Sequence, residues 1–159
     1  MAINNAVNDI YIARNGFYAT NTTSPTNVTG DGTQYTIPFD FMESGSGFDT
    51  STYSWVPSAV GTYSVGVSLY TYGYASTNTD FLVILLSTAG GSDIITEMSA
   101  TNIYDSSGVI MMSVVVPFLI NAIDPGNPPK ISVQLQVSGT SKNISLTEYK
   151  SSFWANLLF

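Results

Sequence analysis

The chain has few side chains that could perform catalysis, because its 159 residues include no histidine and no cysteine. These absences exclude His- and Cys-based zinc sites, Ser-His-Asp and Cys-His nucleophile systems, and a histidine switch near neutral pH. Carboxylates remain: Asp40 and Glu43, with Asp31 or Asp49 nearby, could form the acid–base pair of a glycosidase. The competing interpretation is that they cap turns, and no other catalytic signal accompanies them. We therefore predict that the protein is not an enzyme.

Three tyrosines offer a second kind of chemistry, the stacking of an aromatic ring on a sugar. Tyr70, Tyr72 and Tyr74 flank Gly73 where a predicted strand ends. Tyrosine has an apolar ring and a polar tip, which suits a loop that binds glycans. The alternative, which we favour, is that these rings pack on a neighbouring strand or subunit. We keep the three tyrosines as possible ligand-binding residues.

Composition restricts the possible partners. Charged residues make up only 9% of the chain, far below the roughly 25% of ordinary soluble domains. The net charge is −7 with only four Lys and Arg, so phosphate neutralisation cannot support nucleic-acid binding, and an anionic membrane surface is disfavoured. The remaining polar residues are mostly Ser, Thr, Asn and Gly. This composition is typical of β-rich extracellular and virion proteins.

The sequence shows no element expected to enter a membrane. Residues 1–13 carry Asn and Asp where a signal peptide has a basic start and an apolar core. The longest apolar runs, Phe81–Leu86 and Val109–Ile120, are too short to span a bilayer. We expect a location in a virion or at an extracellular surface, reached as part of a particle or by lysis.

Short strands separated by Gly, Pro, Asn, Asp and Ser clusters predict an all-β sandwich or barrel, and no capped helical pattern is present. The predicted strands are Ile10–Ala19, Gln34–Phe41, Tyr53–Val56, Thr62–Tyr72, Asp80–Ser87, Asp93–Tyr104, Val109–Ile120, Ile131–Ser138 and the last nine residues.

Two populations of strands coexist in this pattern. Ile131–Val137 alternates strictly between apolar and polar residues, which indicates one wet face, whereas Val109–Ile120 hardly alternates. The closing strand is apolar on both faces, with Phe153, Leu157 and Phe159 on one and Trp154 and Leu158 on the other. Leaving two such side chains exposed would forfeit roughly 1.5–3 kcal/mol each. A second copy of the chain is the simplest cover, and homo-oligomerisation is therefore predicted.

Four ordered stretches carry a resemblance to a known family. Residues 27–40 contain a Gly-Asp-Gly turn, residues 48–57 an Asp-containing turn, an aromatic strand and Pro57, residues 61–65 a Gly-x-Tyr-x-Val strand, and residues 152–159 a Ser-Phe with an apolar tail. In this order and spacing they resemble the C1q/tumour-necrosis-factor-like domains of phage and bacterial fibre proteins. The resemblance covers residues 14–159 and leaves residues 1–13 as a lead-in segment.

The resemblance implies an antiparallel jelly roll of about ten strands. It also implies a trimer around a threefold axis, formed by the sheet that holds the first and last strands, and an interaction head rather than an enzyme. Some C1q-like heads bind calcium through loop aspartates, and Asp80, Asp93, Asp105 and Asp124 lie in or beside predicted turns. No calcium-loop spacing is present, so we expect no cofactor, with calcium as the alternative.

One departure from the family bears on the trimer axis. Where the family has a small pair and then an aromatic after the closing Phe, this chain has Trp154-Ala155-Asn156, which moves the bulk two positions earlier. The axis packing is therefore expected to differ in detail.

We predict a trimeric structural or adhesive head of a phage-like particle or fibre that binds a host-surface receptor or glycan. A bacterial carbohydrate-binding or adhesion module of the same fold is the alternative. The core or trimer interface is predicted to contain Tyr63, Val65, Val114, Val116, Phe153, Leu157 and Phe159.

Overall fold

The computed structural model describes residues 16–87, 93–100 and 108–158, so the predicted lead-in of residues 1–13 lies outside the described part. The described residues form twelve strands in two antiparallel sheets. The strands are β1 (Gly16–Thr20), β2 (Gln34–Thr36), β3 (Phe41–Gly45), β4 (Phe48–Asp49), β5 (Ser54–Trp55), β6 (Gly61–Tyr72), β7 (Phe81–Ser87), β8 (Asp93–Ala100), β9 (Val109–Ile120), β10 (Ile131–Val137), β11 (Ser145–Leu146) and β12 (Ser152–Leu157).

The two sheets have different centres. Sheet I is built around β6, which pairs with β9 along one edge and with β12 and β11 along the other; β1 and β3 follow beyond β12. Sheet II has the order β4-β5-β10-β7-β8, with β2 also paired to β10. The first and last described strands, β1 and β12, are neighbours in sheet I.

Alternation along the strands places one side of each sheet in a common core. In β10, Ile131, Val133, Leu135 and Val137 are all fully buried, and the intervening polar residues are only half-buried. From sheet I, Phe17 stacks on Phe48 of sheet II with ring centroids 4.9 Å apart. Aromatic pairs in this geometry stabilise a core beyond the apolar area they bury. The core therefore lies between the sheets, and none of the described residues covers the opposite side of sheet I.

The structure confirms the predicted all-β jelly-roll sandwich, and several strands begin and end within a residue of the prediction. The predicted strand Gln34–Phe41 is instead divided, because β2 ends at Thr36 and β3 begins at Phe41. Pro38 lies between them and has no backbone N–H for a ladder hydrogen bond, so pairing is interrupted there. Residues 10–15 and 101–104 of two other predicted strands lie outside the described residues. No helix in the described ranges is long and apolar enough to cross a bilayer.

Candidate interface on the outer face of sheet I

The side of sheet I that points away from the core, here called the outer face, carries an apolar row across its strands. Strand pairing places Val115 of β9 beside Gly66 of β6, Gly66 beside Trp154 of β12, and Trp154 beside Tyr18 of β1. Cross-strand neighbours on one face stand about 5 Å apart, so these side chains form one continuous surface.

The β9 end of this surface is well exposed. The exposed fractions are 76% for Met111, 58% for Val115 and 57% for Leu119, and Tyr18 at the other end of the row is 38% exposed. Met111, Val115 and Leu119 are separated by even numbers of residues along β9, so their side chains project from the same side of the strand and form a ridge. A contiguous apolar patch of this kind is typical of a protein interaction site.

Trp154 and Gly66 fit together closely. A Cβ atom added to Gly66 would lie 2.3 Å from both Cε2 and Cζ2 of the Trp154 indole and 2.7 Å from its Nε1. Real Cβ atoms do not approach ring atoms this closely, so only glycine leaves room for the indole at this place. The ring thus covers the backbone of the neighbouring strand.

A polar strip borders the aromatic row. Ser113 of β9, Ser68 of β6 and Ser152 of β12 are register partners across three strands, and the Ser113 hydroxyl donates a hydrogen bond to the Ser68 Oγ at 3.0 Å. Together with the aromatic row these serines border an open groove of about 620 Å³. Its lining residues are Phe17, Tyr18, Ser44, Ser68, Ser113, Ser152, Trp154 and Asn156, none of which is charged.

The residues predicted for the core or interface lie on the inward side of sheet I. Tyr63, Val65, Val114 and Phe153 are buried, and Val116 and Leu157 are partly buried against the core; Phe159 lies outside the described residues. The predicted residues therefore belong to the interior side of sheet I. The prediction did not include the outer-face residues Tyr18, Gly66, Met111 and Val115. The available signal was the alternation within each strand, since every missed residue lies one position away from an inward residue.

The three candidate ligand-binding tyrosines do not form one surface. Tyr70 and Tyr72 are half-buried and lie on the outer face near the end of β6. Tyr74 is buried, and its hydroxyl lies 3.1 Å from the Thr71 Oγ1 inside the protein. Burial raises the pKa of Tyr74 well above its ordinary value, with the Thr71 hydrogen bond opposing the shift. Only Tyr70 and Tyr72 can therefore meet a ligand at the surface.

The four candidate catalytic carboxylates all accept local hydrogen bonds. Asp40 accepts from the Thr22 backbone N–H, and the Glu43 Oε1 accepts from the Thr20 hydroxyl at 3.2 Å. The structure thus gives both members of the hypothetical glycosidase pair a partner in the strand or loop nearby.

Asp31 and Asp49 have a turn-capping geometry. The Asp49 Oδ1 accepts from the Ser51 hydroxyl at 2.6 Å and from the Ser51 N–H at 2.8 Å. These bonds, with a further one from the Thr52 hydroxyl, hold the pKa of Asp49 at about 2. Hydrogen bonds from Thr33 lower the pKa of Asp31 in the same way. Among the described residues, no three metal-ligating side chains gather into a group that could hold an ion.

The loops at one end of the sandwich are joined by a pair of asparagines. The Asn78 Nδ2 donates to the Asn143 Oδ1 at 3.3 Å, and the Asn143 Nδ2 donates back to the Asn78 Oδ1 at 3.0 Å. Asn78 also donates to the Gly30 carbonyl, and Asn143 donates to the Gly73 carbonyl at 2.8 Å. Three loops that are distant in sequence are therefore fixed against one another.

Comparisons with known proteins support the fold. No protein-family model and no curated protein sequence matches the chain. Among solved structures, the Eiger TNF of S. frugiperda matches with a TM-score of 0.65 and 12% identity, over 91% of this chain and 92% of that one. Two structures of murine APRIL match with TM-scores of 0.59 and 0.58 and 10% identity, over 91% of this chain and 98% of theirs. The chain therefore has a TNF/C1q-like jelly-roll fold, which confirms the resemblance at the level of the fold.

Proposed function

We propose that this chain is a non-enzymatic interaction domain that works as a homotrimer, with the part of the outer face of sheet I that runs from Val115 through Trp154 to Tyr18 as the contact between copies. The observation that carries the proposal is the apolar row from Val115 through Trp154 to Tyr18, which no part of the described chain covers. Exposed apolar surface of this continuity is stabilised by burial against a partner. The resemblance to C1q/TNF-like domains implies that the partners are two further copies.

The arrangement of the face favours a closed ring. The exposed ridge of Val115 and Leu119 lies on the edge strand β9, whereas the groove beside Tyr18 and Trp154 lies at β12 and β1. The two features are separated by two to three strand spacings, about 10–14 Å. A ridge of one copy that enters the groove of the next makes a head-to-tail contact, and such contacts close into a ring when the rotation between copies closes, as it does around the threefold axis that the resemblance implies. Three copies satisfy every ridge and every groove.

The proposed role is that of a head on a virus-like particle or fibre, which adheres to a glycan on a host surface. The low charge and the hydroxyl-rich surface support this role, as does the loop end fixed by Asn78 and Asn143. A rigid loop loses little conformational entropy on binding, and three linked copies convert weak contacts into useful avidity. The proposed stacking residues are Tyr70 and Tyr72, which lie on the same face but outside the contact between copies, four and six residues along β6 from Gly66.

Light scattering at micromolar concentration tests the assembly. We expect a mass near three times the 17.0 kDa of one chain. A stable monomer at this concentration would contradict the proposed homotrimer.

A glycan array tests the ligand class. Wild-type protein is expected to bind, and the Tyr70→Ala/Tyr72→Ala double variant is expected to lose most of that binding. Tyr149→Ala is the matched control, because Tyr149 is 65% exposed and lies on a different loop. Equal binding by the double variant and the wild type, or no glycan bound by the wild type, contradicts the glycan assignment.

The non-enzymatic part of the proposal has its own test. Wild-type protein is expected to leave a panel of polysaccharides uncleaved. Cleavage that is lost in Asp40→Asn or Glu43→Gln would overturn it and identify the pair as catalytic.

A further inference from the structure

We infer that Trp154, seated on Gly66, is the anchor of the subunit contact, and that Gly66 is a positioning residue whose role is to hold this indole. The inference rests on the proposed homotrimer and specifies what binds at its centre. The place where the Trp154 indole lies on the Gly66 backbone is here called the seat. The surface above it is occupied by a second copy of this chain.

The glycine is present for space and not for backbone conformation. Gly66 lies inside the twelve-residue strand β6 and pairs with Trp154 on one side and with Val115 on the other. Its φ is not in the left-handed region, where seven other glycines of the described residues lie. A glycine inside a regular strand weakens that strand, because it has no side chain to pack. The compensating gain visible here is room for the indole of Trp154.

The indole is poised for contact with another protein. It is half-buried, with one side on the Gly66 backbone and Val115 and Tyr18 in the same cross-strand row. Within the part of the chain that the structure describes, its Nε1–H donates no hydrogen bond, so it remains free to donate to a partner. Tryptophans that combine apolar area with one polar tip are the commonest anchors of protein interfaces. Trp154 therefore has the properties of an interface anchor, already ordered before the partner arrives.

The electrostatics favour a second copy as the occupant. Each chain carries a net charge of −7, so identical copies repel one another in general. The groove around Trp154 has no charged lining residue, so two copies can approach there without direct repulsion. The apolar ridge on β9 belongs to the same face and supplies a surface for the indole to meet.

An anchor at Trp154 also explains why the C-terminal strand departs from the family pattern at Trp154-Ala155-Asn156. The bulky residue stands at Trp154 and points to the outer face, directly opposite the one strand-interior glycine of β6 that can accommodate it. The contact is therefore centred on the sheet, at the β6–β12 pair.

A double-mutant cycle tests the seat. Dilution series of wild type, Gly66→Ala, Trp154→Ala and the double variant are followed by analytical ultracentrifugation. Trp154→Ala is expected to weaken assembly by roughly thirtyfold or more, the range of interface anchors. Gly66→Ala is expected to weaken it as well, because the added methyl displaces the indole. In the double variant the methyl has nothing to displace, so we expect no loss beyond that of Trp154→Ala alone. Ser132→Ala, on the outward side of β10 in sheet II, is the matched control and is expected to assemble nearly as the wild type does.

Tryptophan fluorescence gives a second measurement that does not depend on the variants folding equally well. The chain has two tryptophans, and Trp55 is 1% exposed in the core. A red shift of wild-type emission on dilution therefore reports Trp154 leaving the contact, and Trp154→Phe is expected to lack the shift.

The possible failures are distinguishable. A wild-type chain that stays monomeric overturns the homotrimer itself. A wild-type trimer that assembles equally tightly with Trp154→Ala, or that dissociates with no change in emission, leaves the homotrimer standing and overturns the anchor. An emission shift of a wild-type monomer on addition of sugar would assign the seat to a glycan and also overturn it.

Discussion

Strands β9 and β10 show how differently one sandwich can use its two surfaces. On the inward side the two strands are alike, since both present branched apolar residues to the core. On the other side, β10 presents Ser132, Gln134 and Gln136, whereas β9 presents the exposed Met111, Val115 and Leu119. The inward pattern specifies the fold, and the outward pattern specifies what the fold meets.

Position in the sheet makes the contrast more significant. β10 lies inside sheet II and is paired on both edges, while β9 is paired within the described residues only to β6. An apolar edge strand is a template for unwanted association unless it is covered or interrupted. Pro117, which lies on the outer face of β9, is one interruption, because it cannot donate to an added strand. The apolar side of β9 therefore indicates a specific partner, whereas the polar side of β10 needs only water.

The largest expected effect tests the similarity of the inward sides. Leu69 of β6 in sheet I and Leu135 of β10 in sheet II are both almost fully buried. Leu69→Ala and Leu135→Ala are each expected to reduce the free energy of unfolding by about 2–5 kcal/mol, from lost burial and the cavity left behind. Urea unfolding at one protein concentration measures both. A cost below about 1 kcal/mol for either variant would contradict the placement of that leucine in the shared core.

The next effect tests the difference between the outward sides. Val115→Asp is expected to weaken assembly by about a hundredfold, because three copies would bring like charges into an apolar contact. Gln134→Asp adds the same charge to the outward side of β10 and is expected to leave the assembly unchanged. Sedimentation of both variants over a dilution series gives the comparison. Equal assembly of the two variants would mean that the β9 side is not the contact.

Much of the inward pattern could be predicted from the sequence, because alternation with period two reports burial directly. Val109–Ile120 begins and ends as predicted, and the strand that begins at Ile131 ends at Val137, one residue before the predicted Ser138. The outward contact could not be predicted in the same way. The pairing of Gly66 with Trp154 joins residues 88 positions apart, and only the strand register brings them together.

Whether a side chain is buried or exposed is harder to predict where it follows a bend in the chain. Tyr74 follows Gly73, whose φ of 96° turns the chain, and its ring enters the interior although Tyr70 and Tyr72 remain on the outer face. No feature of the sequence indicates the direction of that turn. The aspartates were simpler, since a carboxylate two residues before a Ser or Thr predicts the turn cap that Asp31 and Asp49 form.

The smallest expected effect concerns Asp49, at the end of β4 in sheet II. Hydrogen bonds from Ser51 and Thr52 lower the pKa of Asp49 to about 2 in the folded chain, against roughly 3.9 in an unfolded one. A lowered folded pKa stabilises the fold above the unfolded value, and the contribution is lost as the pH falls through the folded value. Wild type is therefore expected to be slightly more stable than Asp49→Asn at pH 6, and the gap is expected to close between about pH 4 and pH 2. Urea unfolding across this range measures the gap. Among the described residues, Asp49 accepts hydrogen bonds only from its own turn beside sheet II, so the oligomeric mass of Asp49→Asn should equal that of the wild type at pH 6. A change in mass would place sheet II in the subunit contact. The contrast between the two surfaces would then be lost.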